Sequence, residues 1–148
     1  MNSTVDIFDL DRFINAQKRD YSIALNELSQ GHKYSHWMWY IFPQINGLGR
    51  SDIAQKYAIR NEAEVKAYLA HSILGKRLVE CSEVLLSLNG FLASDIFGYP
   101  DDVKLRSSMT LFANYSECNS VFHQVIESYF DGELDNKTIE IVRKIELQ

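Results

Sequence analysis

The chain has 148 residues, 46% of them hydrophobic and 24% charged, with a formal net charge of −5. That length suits one core, so a single domain over residues 1–148 is expected, and the acidic balance argues against general nucleic-acid binding through phosphates. No stretch approaches the ~20 apolar residues of a membrane span, and the start MNSTVDIFDLD has neither a basic head nor an apolar run, so a cytoplasmic location and no membrane partner are expected.

Taken in chain order, the periodicity is helical almost everywhere. Leu10, Phe13, Ile14 and Gln17 form one short stripe, and Tyr21, Ala24, Leu25 and Leu28 a second, closed by Gly31 as a helix stop. Next comes GHKYSHWMWYIFPQINGLG, residues 31–49, which holds both tryptophans one residue apart. In isolation Trp37 to Phe42 reads as a buried strand, yet no second alternating segment offers it a ladder. Read as a helix capped by Ser35, it is apolar on every side and predicts a central buried helix.

Asn61 followed by Glu64 resembles a capping box that opens a helix burying Val65, Tyr68 and Leu69. Leu74, Leu78, Cys81, Leu85 and Leu88 recur at helix spacing before Asn89-Gly90. Pro100 with Asp101 and Asp102 suits the first turn of a helix whose core face carries Leu105, Met109 and Phe112. Phe122, Val125, Ile126 and Tyr129 make a further stripe, stopped by Asp131-Gly132, and Ile139, Val142 and Ile145 a last one begun near Asp135. The expectation is an all-α fold: a compact bundle of seven to eight short helices around a central aromatic helix.

The segments GHKYSHWMWYIFPQINGLGRS, AYLAHSILGKRLVEC and IFGYPDDVKLRSSMTLF occur in this order and at a spacing that resembles the bacterial and fungal domain of unknown function eighteen-ten. The resemblance runs from about Phe13 to Ile139, nearly the whole chain. It implies a compact all-α fold and no established activity. Two positions depart from the family's pattern: His32 stands where the family commonly has Arg, and Ser72 where a Pro usually follows the His. Members sometimes carry the label calpastatin. Inhibitor segments of that kind are disordered when free, and a chain with eight Tyr, eight Phe and two Trp in helical stripes does not fit them.

Residues 31–77 hold seven basic and three acidic side chains, a net of +4 in an acidic protein. A local positive field of this kind attracts a small anion. Lys104, Ser107 and Ser108 cluster at i, i+3 and i+4 of the predicted helix, a lysine and two hydroxyls able to hold a phosphate or carboxylate. The bland reading is that Ser108 bonds back to the Lys104 carbonyl and Lys104 is solvated. Gly47-Leu48-Gly49-Arg50-Ser51 offers free backbone N–H groups to an anion, or else is a tight connector with Ser51 or Asp52 as a helix cap. His36 stands beside the tryptophans, and no Ser-His-Asp or Cys-His motif makes it a base.

The histidines form no HExxH motif and Cys81 and Cys118 lie apart, so neither a metal nor a disulfide is expected; both thiols read as small buried hydrophobes on helices.

Several polar-tipped residues crowding short segments beside a glycine turn point to a concave site for a small anionic or nucleotide-like ligand. Its expected lining is His36, Trp39, Tyr40, Gln44, Gly47, Gly49, Arg50, Ser51, Lys104, Ser107 and Ser108, with no cofactor. A faint similarity of organisation to the NADAR domains, which process ADP-ribose conjugates, names ADP-ribose as a ligand class, and no catalytic residue carries over. Whether a reaction follows binding is left open. The alternative is a protein-interaction module anchored on the aromatic patch. An exposed, flat Trp37–Trp39 surface would favour the partner, a concave one the ligand.

Overall fold

The computed structural model describes residues 5–147, and among them nine helices and no strand. Helix α1 spans Asp11–Ser29. The two stripes around Phe13 and Ala24 run on as one helix, because no glycine or proline separates them. Its start is capped from outside, where the Asp6 carboxylate accepts from the Leu10 and Asp11 N–H groups at 2.8 and 2.9 Å. It stops at Gly31, where φ is +74° and a Cβ would lie 2.8 Å from the Phe91 ring.

The aromatic run becomes a single helical turn, α2 (Met38–Ile41), rather than a long helix or a strand. Pro43 cannot continue it. The chain then extends far enough for one parallel bridge, with the Asn46 N–H on the Ile59 carbonyl at 2.8 Å and the Ile59 N–H on the Gln44 carbonyl at 2.9 Å. Trp37, Met38, Ile41 and Phe42 are all at most 2% exposed, so the run is core along most of its length.

Helices α3 (Asp52–Lys56), α4 (Glu62–Ala70) and α5 (Leu74–Ser87) follow. Asn61 opens α4 as expected, accepting from the Glu64 N–H at 2.9 Å. The Glu64 carboxylate returns to the Arg60 N–H, one residue earlier than in a regular capping box. Leu74, Leu78, Cys81 and Leu85 form the buried face of α5. The short α6 (Ala93–Phe97) left no periodic signal in the sequence.

Helix α7 (Asp101–Asn114) buries every residue from Ser107 to Ala113. The helix enclosed on all sides is therefore α7, not the aromatic segment. It packs on α6, α8 (Val121–Phe130) and α9 (Asn136–Glu146), while α5 packs on α1, α4 and α8. Asp131 in the left-handed region and Gly132 end α8, and the Asp135 side chain caps α9 through the Thr138 N–H at 3.3 Å.

Cys81 is buried on α5 and both thiols are free. Cys118, expected on a helix and buried, lies instead in an exposed turn between α7 and α8. No helix among the described residues is long and apolar enough to cross a membrane.

Candidate functional site

Gly31 turns the chain so that residues 33–35 lie back along the end of α1. There the Glu27 carboxylate accepts from the N–H groups of Tyr34 and Ser35 at 2.8 and 2.9 Å, the Ser35 hydroxyl at 2.6 Å and the Trp37 indole N–H at 3.0 Å. Burial pushes the Glu27 carboxyl up, but the hydrogen bonds from Ser35, Tyr34 and Trp37 together bring it down to about 2. An indole N–H inside the core thus has its partner. Ser35, expected as a helix cap, serves Glu27 instead.

Lys33 is held by its N–H to the Ile96 carbonyl at 2.7 Å. Its side chain is only 6% exposed, its ammonium lies 5.1 Å over the Trp37 ring and pairs with Asp101 at 2.8 Å. Asp101, in the first turn of α7, also faces the Lys104 ammonium at 3.4 Å. Lys104 in turn sits 5.0 Å over the Trp39 ring. One carboxylate therefore stands between two lysines, each lying over one tryptophan of the Trp-Met-Trp triplet.

Beside this row opens a cleft of about 250 Å³. Gln44, Leu48 and Gly49 form one wall, Val103, Lys104 and Ser107 of α7 another, and Asp135 and Lys137 the end at α9. Tyr99, 83% exposed, stands at its mouth. Asp135 is already engaged: its carboxylate accepts from the Ser107 hydroxyl at 2.9 Å and from the Thr138 hydroxyl, and its N–H donates to the Thr110 hydroxyl at 2.9 Å. Asp101 is committed to Lys33 at the shorter distance. Lys104 and Lys137 are then the charges the cleft has left to offer, and both are positive.

Four of the sequence-predicted residues line this cleft together: Gln44, Gly49, Lys104 and Ser107. Trp39 stands next to it through Lys104. The others do not line it. His36 is exposed, and its carbonyl accepts from the Tyr40 hydroxyl at 3.3 Å. Tyr40 is buried, with its hydroxyl also donating to Asp20; burial, then that carboxylate, push its pKa up.

Gly47, at φ +110°, lies where a Cβ would approach Ile141 at 3.3 Å, and a Cβ at Gly49 would meet Ala54 at 2.6 Å, so both glycines serve close packing. Arg50 is exposed and its carbonyl accepts from the Gln55 amide at 2.8 Å. Ser51 caps α3, accepting from the Ala54 N–H at 3.2 Å; this turn is a connector to a five-residue helix.

Ser108 is fully buried, and its hydroxyl has no partner among the described residues. The expected bond to the Lys104 carbonyl is not made; it is Ser107 that lies 3.2 Å from the Val103 carbonyl.

His32 and His36 are four residues apart, yet His32 packs on Tyr34 at 4.3 Å, and no group of three metal-ligating side chains converges among the described residues. Lys33, Asp101, Asp135 and Lys137 were missed by sequence reasoning. For Lys33 the usable signal was only its place in the basic, aromatic 31–49 run, since it lies in the loop before α2. Nothing local marked Lys137, which reaches the cleft because α9 packs on α7.

The family described as Protein of unknown function (DUF1810) matches residues 7–142, across every wall of the cleft. The chain belongs to this family. A crystal structure of the conserved hypothetical protein Rv1873 from Mycobacterium tuberculosis is similar over 93% of this chain and 99% of that one, at 43% identity and a TM-score of 0.91. No curated protein matches the chain.

Proposed function

We propose that the cleft between the 44–49 segment and the starts of α7 and α9 binds a small anionic ligand. The observation that carries this reading is the Lys104 ammonium: it lines the cleft, lies over Trp39, and faces an Asp101 that already holds Lys33 at 2.8 Å. An anion entering the cleft replaces the long 3.4 Å contact to Asp101 as the partner of Lys104. Leu48, Val103 and Tyr99 offer apolar surface for a ring attached to that anion.

The volume of about 250 Å³ falls below the roughly 300–1,000 Å³ of sites that enclose a drug-sized molecule. It favours a phosphate-bearing fragment, with only part of an ADP-ribose seated if that is the ligand. The rival reading, a partner anchored on both tryptophans, is weakened because Trp37 is 0% exposed.

The test is a thermal-shift screen against nucleotides, sugar phosphates and ADP-ribose, with Trp fluorescence as a second readout. A ligand at 100 times its dissociation constant adds about 2.7 kcal/mol, roughly 5–10 °C for a chain of this length. Lys104→Met keeps most of the side-chain volume, so its melting point stays near the parent's while the ligand-induced shift disappears. A panel without any shift, or a Lys104→Met protein that binds as the parent does, overturns the reading.

A further inference from the structure

A second concave region runs along α1 and shares no lining residue with the first. Two cavities of about 480 and 450 Å³ adjoin there, with Asp9, Arg12 and Lys56 as their common wall. Arg12 builds that wall. Its guanidinium donates to the carbonyls of Phe8, Asp9, Lys56 and Ala58 and to the Glu64 carboxylate, at 2.5 to 2.9 Å. These bonds engage all five of its N–H donors and pin the chain before α1 to the chain before α4. Arg12 has no donor left for a ligand.

The cations standing around this ridge are less committed. Lys56 lines both cavities, Arg60 one and Arg19 the other. Among the described residues no carboxylate pairs with Lys56 or Arg60, and Arg19, with an 85% exposed side chain, reaches only its neighbour Asp20. The two cavities together are lined by four basic residues and two acidic ones, Asp9 and Glu64. Glu64 is neutralised by Arg12 at 2.7 Å. The groove is thus net positive on a protein of net charge −5.

We infer that this groove binds a linear phosphate chain, laid across Lys56 with its ends toward Arg60 and Arg19. Arg60 and Arg19 line different cavities, and Arg19 lies seven residues beyond the shared wall residue Arg12 on one helix, about 10 Å along its axis, so a chain of phosphates matches this spread of charge better than one compact anion. A phosphate chain carries charge at each unit, and guanidinium forks match phosphate oxygens. Asp9 is the one uncompensated negative charge on the path. Its φ of +52° is one that asparagine also accepts.

Isothermal titration of the full chain with short-chain inorganic polyphosphate tests this. Binding weakens as salt rises; Lys56→Met and Arg60→Gln each weaken it about fivefold or more, and Asp9→Asn tightens it about twofold or more by removing a like charge. Arg19→Gln, on the most exposed of these side chains, keeps the test open if Lys56→Met fails to fold. The inference is overturned if orthophosphate or a glutamate peptide binds as tightly as the phosphate chain, or if Asp9→Asn leaves affinity unchanged. Loss of polyphosphate binding in Lys104→Met would place the anion in the first cleft and overturn it equally.

Discussion

Trp37 and Trp39 stand one residue apart, and each has a lysine ammonium over its ring, at 5.1 and 5.0 Å. Their surroundings differ in every other respect. Trp37 is 0% exposed, gives its N–H to Glu27 and packs near Phe42 and Phe97 at 6.3 and 6.5 Å. Trp39 is half-buried beside the cleft, and its lysine is 26% exposed where the lysine of Trp37 is 6% exposed. The same aromatic–cation pairing is a core device on one side of the turn and a surface device on the other. What separates them is whether the polar partners are closed off from water.

Mutation breaks this comparison most directly. Trp37→Ala should cost about 3–5 kcal/mol, as for other fully buried aromatic deletions, whereas Trp39→Ala should cost about 1 kcal/mol for the smaller area lost. Thermal melts of the two variants read the difference, and equal losses would erase the distinction between core and wall.

Glu27 sharpens the core side. Glu27→Gln replaces an acceptor of four bonds by an amide whose NH₂ cannot serve them all, and should cost about 2–3 kcal/mol. The pH dependence carries a sign. The folded carboxyl is held at about 2, below its ordinary 4.5, so its contribution is fully present above pH 4.5 and is lost as pH falls toward 2. Denaturation curves at pH 5 and pH 3 should show the parent losing more stability over that interval than Glu27→Gln. Parallel losses would mean that Glu27 is not the group responsible.

A smaller effect of opposite sign is expected at Ser108. Its buried hydroxyl makes no bond, so Ser108→Ala should be neutral or stabilising by up to about 1 kcal/mol in denaturant unfolding. A clear loss would reveal a partner for that hydroxyl.

The two thiols repeat the contrast between core and surface without any change in stability. Cys118 should react quickly with a thiol reagent in the folded protein. Cys81, buried and pushed up to about 12 by that burial, should react only on unfolding. An intact-mass count of two fast thiols would contradict the packing of α5.

By itself the sequence determined the helical class, the apolar faces of the longer helices and several of their ends, but neither α6 nor the unbroken course of α1. Asn61, Asp131-Gly132 and Asp135 act through their own backbone within a few residues, so spacing reveals them, as it does the apolar faces of α5 and α8. It also brought Gln44, Gly49, Lys104 and Ser107 into one expected site. The 31–49 run was harder, because apolarity on every side is consistent with helix, strand or turn, and only the packing against Phe97 and the bridge to Ile59 chose between them. Tertiary structure alone decided which polar groups meet. Lys33 and Asp101 are 68 positions apart, and Asp135 finds Ser107 across the intervening α8. Hydrogen bonds and ion pairs depend on distances of about 3 Å, and no periodicity along the chain carries that information between segments separated by tens of residues.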